Sequence, residues 1–229
     1  MTQPAVTPQA KEAARILLDT KSVLFNAAEP FVFTSGRLSP VYVDCRRLIS
    51  FPAERARLMD MAAAIIRDEC DDPDYIAGGE TAGIPYAAFI AERLQKPMLY
   101  VRKQPKGFGR MAQIEGCMDD PAKKVVLVED LQSEGTSKKR FVDALRQAGA
   151  RIDDIVVIFH YGIFPSSNEH MAAMNVRLHA LATWWDVLAV AREHHYFDED
   201  TLSSVEAFLN DPTGWEAQNE HKRKESVSS

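Results

Sequence analysis

Glu129 and Asp130 are adjacent carboxylates, and the segment behind them, Leu131-Gln132-Ser133-Glu134-Gly135-Thr136-Ser137, is short, hydroxylated and contains one glycine. Side-by-side carboxylates suit a vicinal diol, each accepting a hydrogen bond from one ribose hydroxyl. A loop of small residues leading into a helix aims free N–H groups at an anion, usually a phosphate, and Gly135 lets the backbone approach it closely. A ribose carrying a 5′-phosphate satisfies both halves of the pattern. Other phosphate motifs do not fit. A Walker A loop needs a glycine where Asp130 stands, and a dinucleotide fingerprint needs three spaced glycines where this loop has one. The bland alternative is a strand with an N-capping acid and a tight turn.

Two further loops carry compatible chemistry. Gly78-Gly79-Glu80-Thr81-Ala82-Gly83 would be only a tight turn by itself. Beside the first loop it becomes a second anion site, offering backbone N–H groups and the Thr81 hydroxyl to a pyrophosphate. Arg102-Lys103-Gln104-Pro105-Lys106-Gly107-Phe108-Gly109-Arg110 places four positive charges and no negative one in nine residues of an acidic chain. Its glycines and proline predict a mobile loop. Such a loop, closing over a polyphosphate, would neutralise a leaving pyrophosphate and exclude water.

The elements that must position these loops alternate along the chain. Val125 to Val128 is apolar and mostly β-branched, which predicts a buried strand. A helix pattern opens at Ser137, with Phe141, Ala144, Leu145 and Ala148 on one face and Gly149 as the stop. Strands are also predicted at Phe31 to Thr34, Val41 to Asp44, Asp74 to Ala77, Met98 to Val101, Ile155 to Phe159 and Val176 to Leu181. Helices are predicted over Lys11 to Asp19, after Pro52 on the stripe Leu58, Met61, Ala62, Ile65 and Ile66, on Ala87, Ile90, Ala91 and Leu94, and from Trp184 to Ala191. Lys21 to Pro30 reads as an irregular connector, and Ser35 to Pro40 as a turn. This order predicts a parallel sheet with helices on both faces, binding ligands beyond the carboxyl ends of its strands.

With 229 residues and 46% hydrophobic content, the chain can bury a sizeable core. A net charge of −6 argues against general nucleic-acid binding. Cys45, Cys70 and Cys117 are few and far apart, which predicts reduced thiols in a cytoplasmic protein rather than a disulfide framework or zinc site. No apolar run approaches the ~20 residues of a membrane-spanning helix. The polar stretch 218–229 is predicted to be a disordered tail.

The stretch from Val125 to Ser137 resembles the phosphoribosyl-diphosphate (PRPP) motif of type I phosphoribosyltransferases. Taken with Ser39 to Arg46, Gly78 to Pro85, Tyr100 to Arg110 and Gln113 to Gly116, it resembles the orotate phosphoribosyltransferase family over roughly Ala14 to Trp215. The resemblance implies an α/β fold with a parallel-sheet phosphoribosyltransferase core. It implies one domain over 1–217, comprising a small N-terminal hood to about residue 50, then core and C-terminal helices over 51–217. It implies transfer of the 5-phosphoribosyl group from PRPP to orotate, giving orotidine 5′-monophosphate and pyrophosphate in UMP synthesis. Mg2+, held chiefly by substrate oxygens, and a homodimer whose basic loop closes on the neighbour's site are further implications. By position, Glu129 and Asp130 hold the ribose, Ser133 to Ser137 the 5′-phosphate, and Glu80, Thr81 and Ala82 the pyrophosphate, with Leu131 and Gln132 as further PRPP contacts. Arg102, Lys103 and Lys106 are the loop cations and, with Asp130, the catalytic set; Tyr42, Val43, Ser133 and Arg37 meet orotate.

Four residues depart from the commoner family pattern. Thr34 stands where many members have a lysine, Phe108 where many have a histidine, and Glu134 where a small residue is usual. Tyr161 stands where an arginine often meets the orotate carboxylate, so another donor must serve: backbone near Tyr42 and Val43, or Arg37. A phosphoribosyltransferase for another base, or a non-catalytic nucleotide-binding regulator, are the alternative expectations.

Overall fold

The structure is a computed structural model that describes residues 6–33, 36–106, 113–118, 120 and 122–223. In chain order its elements are α1 (Pro8–Asp19), β1 (Val23–Phe25), β2 (Phe31–Val32), β3 (Leu38–Ser39), β4 (Val41–Val43), α2 (Pro52–Glu69), β5 (Tyr75–Gly79), α3 (Gly83–Leu94), β6 (Met98–Val101) and β7 (Ile114–Glu115). There follow β8 (Lys124–Gln132), α4 (Thr136–Gln147), β9 (Arg151–His160), α5 (Pro165–Met174), β10 (Arg177–Thr183), α6 (Trp184–Glu193), α7 (Glu199–Asn210) and α8 (Pro212–Asn219). They gather into two compact units, residues 48–183 and residues 1–47 with 184–229.

The unit 48–183 contains a six-stranded sheet in the order β10-β9-β8-β5-β6-β7. All its pairings are parallel except that of the short edge strand β7. Val125 and Leu127 face one side, where Phe141, Val142 and Leu145 of α4 and Met171 and Met174 of α5 cover them. Strand alternation turns Val126 and Val128 to the opposite side, where α3 packs on β5 and β8 and α2 on β9 and β10. From β5 the chain moves outward to β6 and β7, then returns to the other side of β5 for β8. The reversal puts the carboxyl ends of β5 and β8 at the switch point of the strand order, the usual ligand position in such sheets.

In the other unit, Thr7 caps α1 by accepting from the Ala10 N–H at 3.1 Å, and α1 packs on α6. Phe25 sits with ring centroids 5.9 Å from Trp184 and 4.9 Å from Phe197. The sequence divides the chain once, near residue 50, whereas the compact units also divide it at 183/184, grouping α6, α7 and α8 with the N-terminal segment.

Several local expectations are corrected. The connector from Lys21 contains β1, which pairs with β4, and β2 pairs with β3, inside the expected turn. These strands have two or three residues, too few to show alternation, and are set by their partners. Gly78 and Gly79 belong to β5, and Glu129 to Gln132 continue β8. The helix α5 was not expected, since its apolar residues do not line one face. The polar stretch from Gln218 is helical through Lys222, anchored by the Lys222 ammonium on the Ala27 carbonyl at 2.9 Å; residues 224–229 lie outside the described residues. Among the described residues no helix is long and apolar enough to cross a membrane.

Candidate active site

Three glycines set how closely β5 and β8 approach at their carboxyl ends. A Cβ on Gly78 would lie 2.7 Å from the Gly83 carbonyl oxygen, and one on Gly83 2.4 Å from that of Val128. A Cβ on Gly79 would lie 2.4 Å from Glu129 Oε1. The missing side chains of Gly79 and Gly83 therefore make room for a carboxylate. Glu129 is only 7% exposed. Burial pushes its carboxyl up to about 7, opposed by Lys138 and reinforced by Asp130, with the Gly83 N–H and Lys103 also favouring the charged form. Asp130 is partly exposed.

Lys138, on α4, is 2% exposed and is the cation that meets Glu129. Its ammonium donates to the Leu131 carbonyl at 2.5 Å and lies 3.8 Å from Glu129 Oε2. Burial lowers its pKa, while Glu129 and Asp130 raise it.

Gly135 caps α4 at φ +92°, a left-handed conformation, and its Cβ would fall 2.3 Å from Gln132 Nε2. That amide donates to Ser167 Oγ at 3.1 Å, and His160 Nε2 bonds the same hydroxyl at 3.0 Å. Burial, then Lys138, lowers the His160 pKa to about 4, so its ring is neutral at pH 7. His170 Nδ1 bonds the Glu134 carbonyl at 2.7 Å. The loop between β8 and α4 is thus tied to α5, while Ser133 and Glu134 are exposed. Neither α3 nor α4 has a side-chain cap, as is also true of α2 and α5, but α3 and α4 are the helices that follow β5 and β8, the two strands paired at the acidic end. Uncapped first-turn N–H groups at the two strand ends suit two anions.

Glu80, Thr81 and Ala82 lie between β5 and α3, and the Glu80–Thr81 peptide bond is cis. Glu80 Oε2 accepts from the Lys103 backbone N–H at 2.6 Å. Arg102 exchanges bonds with Gln113, N–H to carbonyl at 2.8 Å and side-chain amide to carbonyl at 2.9 Å. Its guanidinium is 3.6 Å from Glu115, which also pairs with Lys106. The Lys106 hydrogen bond holds the Glu115 carboxyl below its usual range. Residues 107–110, with the expected Phe108 departure, lie outside the described residues, as does Thr34.

The expected base contacts fall in different units: Arg37, Tyr42 and Val43 in one, Ser133 in the other. Arg37 lies 3.7 Å from Glu216, and the Tyr42 and Phe31 rings are 5.4 Å apart. Tyr161 is buried, stacked on Phe164 at 5.9 Å and edge-on to Phe159 at 6.1 Å. Packing is therefore its role where an arginine is common.

Cys70 approaches Asp154 and His179, with donor atoms within 4.8 Å of one another. The Arg177 guanidinium bonds both oxygens of Asp154, at 2.8 and 2.9 Å, and His179 bonds it at 2.8 Å. These bonds commit Asp154 to a closed network, and burial pushes the Cys70 thiol up to about 12. Sequence reasoning missed Lys138, Ser167 and His170. Lys138 did leave a signal, because it precedes Phe141, Val142 and Leu145 at the spacing of their buried helix face.

These loops, strand ends and glycines define a class of protein. The family profile described as Phosphoribosyl transferase domain matches residues 48–176, and the chain belongs to that family. Its relatives sort it further. It is 53% identical over 222 residues to the orotate phosphoribosyltransferase of Dinoroseobacter shibae, covering 96% of this chain and 97% of that protein. It is 50% identical over 224 residues to that of Rhizobium rhizogenes, covering 96% of each. The crystal structure of orotate phosphoribosyltransferase from Aeropyrum pernix superposes with TM-score 0.67 at 32% identity, over 81% of this chain and 99% of that one. The orotate phosphoribosyltransferases are thus its group, and the chain is a pentosyltransferase enzyme.

Proposed function

We propose that the chain transfers the 5-phosphoribosyl group of PRPP to orotate, releasing pyrophosphate and forming orotidine 5′-monophosphate for UMP synthesis in the cytoplasm. The observation that carries this reading is the pair of uncapped helix N-termini, α3 and α4, flanking the acidic end of β8. One suits the pyrophosphate, the other the 5′-phosphate, and Asp130 with Glu129 suits the ribose diol between them. As positive charge develops at ribose C1, the neighbouring carboxylates favour it. Arg102, Lys103 and Lys106 neutralise the departing pyrophosphate. No residue is required as a nucleophile. Arg37, Tyr42, Val43 and Ser133 remain the proposed base contacts.

Mg2+ fits the donor set, since Asp130 and Glu80 offer partly exposed hard oxygens at the two strand ends and the remaining ligands would be substrate oxygens and water. When bound it supplies charge neutralisation on the pyrophosphate. With PRPP and Mg2+ the protein is expected to consume orotate, read as loss of its absorbance. Unchanged orotate while adenine or xanthine is consumed would leave the family and remove the base assignment. Nucleotide binding with no turnover of any base would favour a regulator.

The proposal includes a two-fold dimer in which Lys106 serves the neighbour's site. Its contact with Glu115 is partly exposed, and exposed pairs contribute roughly 0–1 kcal/mol, so release is cheap. If Lys106→Ala and Asp130→Asn are each nearly inactive, a mixed dimer has one site with both defects and one with neither. Random reassortment of equal amounts should restore about a quarter of all sites. Demonstrated subunit exchange without recovered turnover would assign Lys106 to its own subunit's site.

A further inference from the structure

Helix α5 meets the loop between β8 and α4 along one face. Ser167, His170 and Met171 are spaced i, i+3 and i+4, which places them side by side on the helix. Each takes up a different part of the loop. Ser167 Oγ accepts from the Gln132 amide at 3.1 Å, and His170 Nδ1 bonds the Glu134 carbonyl at 2.7 Å. A Cβ on Gly135 would meet Met171 Cε at 3.0 Å. A carbonyl only accepts, so His170 Nδ1 is the donor. Ser167 is 1% exposed and Gln132 is fully buried. The amide nitrogen only donates, which leaves the Ser167 proton for His160 Nε2, 3.0 Å away.

Other elements hold the approach to this loop. The Gln132 carbonyl accepts from the Tyr161 N–H at 2.8 Å, on the β9 side. Pairing of β8 with β5 ends at Val128, so the Leu131 carbonyl lies past that ladder, and the Lys138 ammonium donates to it at 2.5 Å. The start of α5 is fixed in turn, because Phe164, its N-cap, stacks on Tyr161. Residues 132–135 set the entry of α4, whose first turn carries no side-chain cap. The aim of its N–H groups at an anion therefore depends on the bonds from α5.

We propose that Ser167 and His170 are positioning residues for the 5′-phosphate of PRPP: they fix the loop that presents N–H groups to it and touch no substrate themselves. The proposal rests on the phosphoribosyl-transfer reading. Its effect is confined to one end of the substrate. Helix α5 packs on α4 and β10, whereas residues 80–82, proposed for the pyrophosphate, lie between β5 and α3.

Ser167→Ala removes one of the two bonds and His170→Ala the other. Each is expected to weaken binding of ribose 5-phosphate to the ligand-free protein, read by calorimetry, by about two- to tenfold, the range of one net hydrogen bond. KM for PRPP should rise by the same factor, with kcat little changed. In the reverse reaction KM for orotidine 5′-monophosphate should rise likewise, while KM for pyrophosphate stays put. His170→Asn returns an N–H near the position of Nδ1 and should restore the binding.

Equal losses at both ends of the substrate, or a lowered Tm with ribose 5-phosphate binding intact, would overturn the proposal and leave α5 as packing. If Ser167→Ala does not fold, His170→Ala, at a partly exposed position, decides by the same measurements. Wild-type protein that binds neither ribose 5-phosphate nor PRPP would sink this proposal together with the functional reading. Binding without turnover of any base would sink the functional reading alone, and the calorimetry would still decide the role of α5.

Discussion

Asp130→Asn is expected to lower kcat/KM for PRPP by about ten- to a hundredfold, the equivalent of roughly 1.5–3 kcal/mol for a hydrogen bond to a charged group. The replacement is nearly isosteric, so Tm should change little. Asp130 is partly exposed at the strand end, and its carboxylate is one of the influences holding the Glu129 pKa up. Asparagine at this position therefore removes one acceptor for the diol and makes its neighbour easier to ionise. The loss should consequently be greatest above pH 7, where Glu129 is charged in both proteins and cannot compensate further. Steady-state kinetics across pH 6–9 with thermal melts would check this, and an unchanged kcat/KM would take the acid out of the site.

Gly83→Ala should have the larger effect on stability. Its Cβ would fall 2.4 Å from the Val128 carbonyl oxygen and 2.5 Å from Glu129 Oε1. A flexible side chain could swing away; the backbone oxygen cannot, because β8 is held in register with β5 through Gly78 opposite Val128. Overpacking of this kind costs about 1–3 kcal/mol and occasionally more. The upper half of that range corresponds to a Tm lower by roughly 4–12 °C for a protein of this size. Activity should fall with it, because relieving the clash moves the strand end that presents both acids. A variant that melts and turns over like the wild type would show that β5 and β8 are not packed this tightly.

The legible parts of the chain were those in which local sequence and tertiary role agree. Val125 to Val128 could be little other than a buried strand, and Phe141, Ala144, Leu145 and Gly149 delimit α4 with its own spacing. The loop between β8 and α4 could be placed because the residues that mark it are contiguous. The burial of Glu129 could not, since it depends on Gly79 and Gly83, some fifty residues earlier in the chain. Its partner Lys138 was visible as a charge on an apolar stripe, but only the end of β5 explains it. Strand β1 and helix α5 were hidden for a related reason: one is too short to show a period, and the other owes its place to Ser167, His170 and Met171 meeting neighbours distant in sequence.

On the β8 side, the pairing with β5 stops at Val128 while the pairing with β9 runs on to Gln132. The candidate site therefore arises from a mismatch in length between two neighbouring strands. Such a site is vulnerable to insertion more than to substitution. Two residues added to β5 before Glu80 would let it zip onward along β8, and main chain would then occupy the space beside Glu129 and Asp130. Deletions that shorten β8 would erase the ledge altogether. Evolution of this enzyme is consequently held to the counting of residues in two strands as well as to the acids and glycines at their ends.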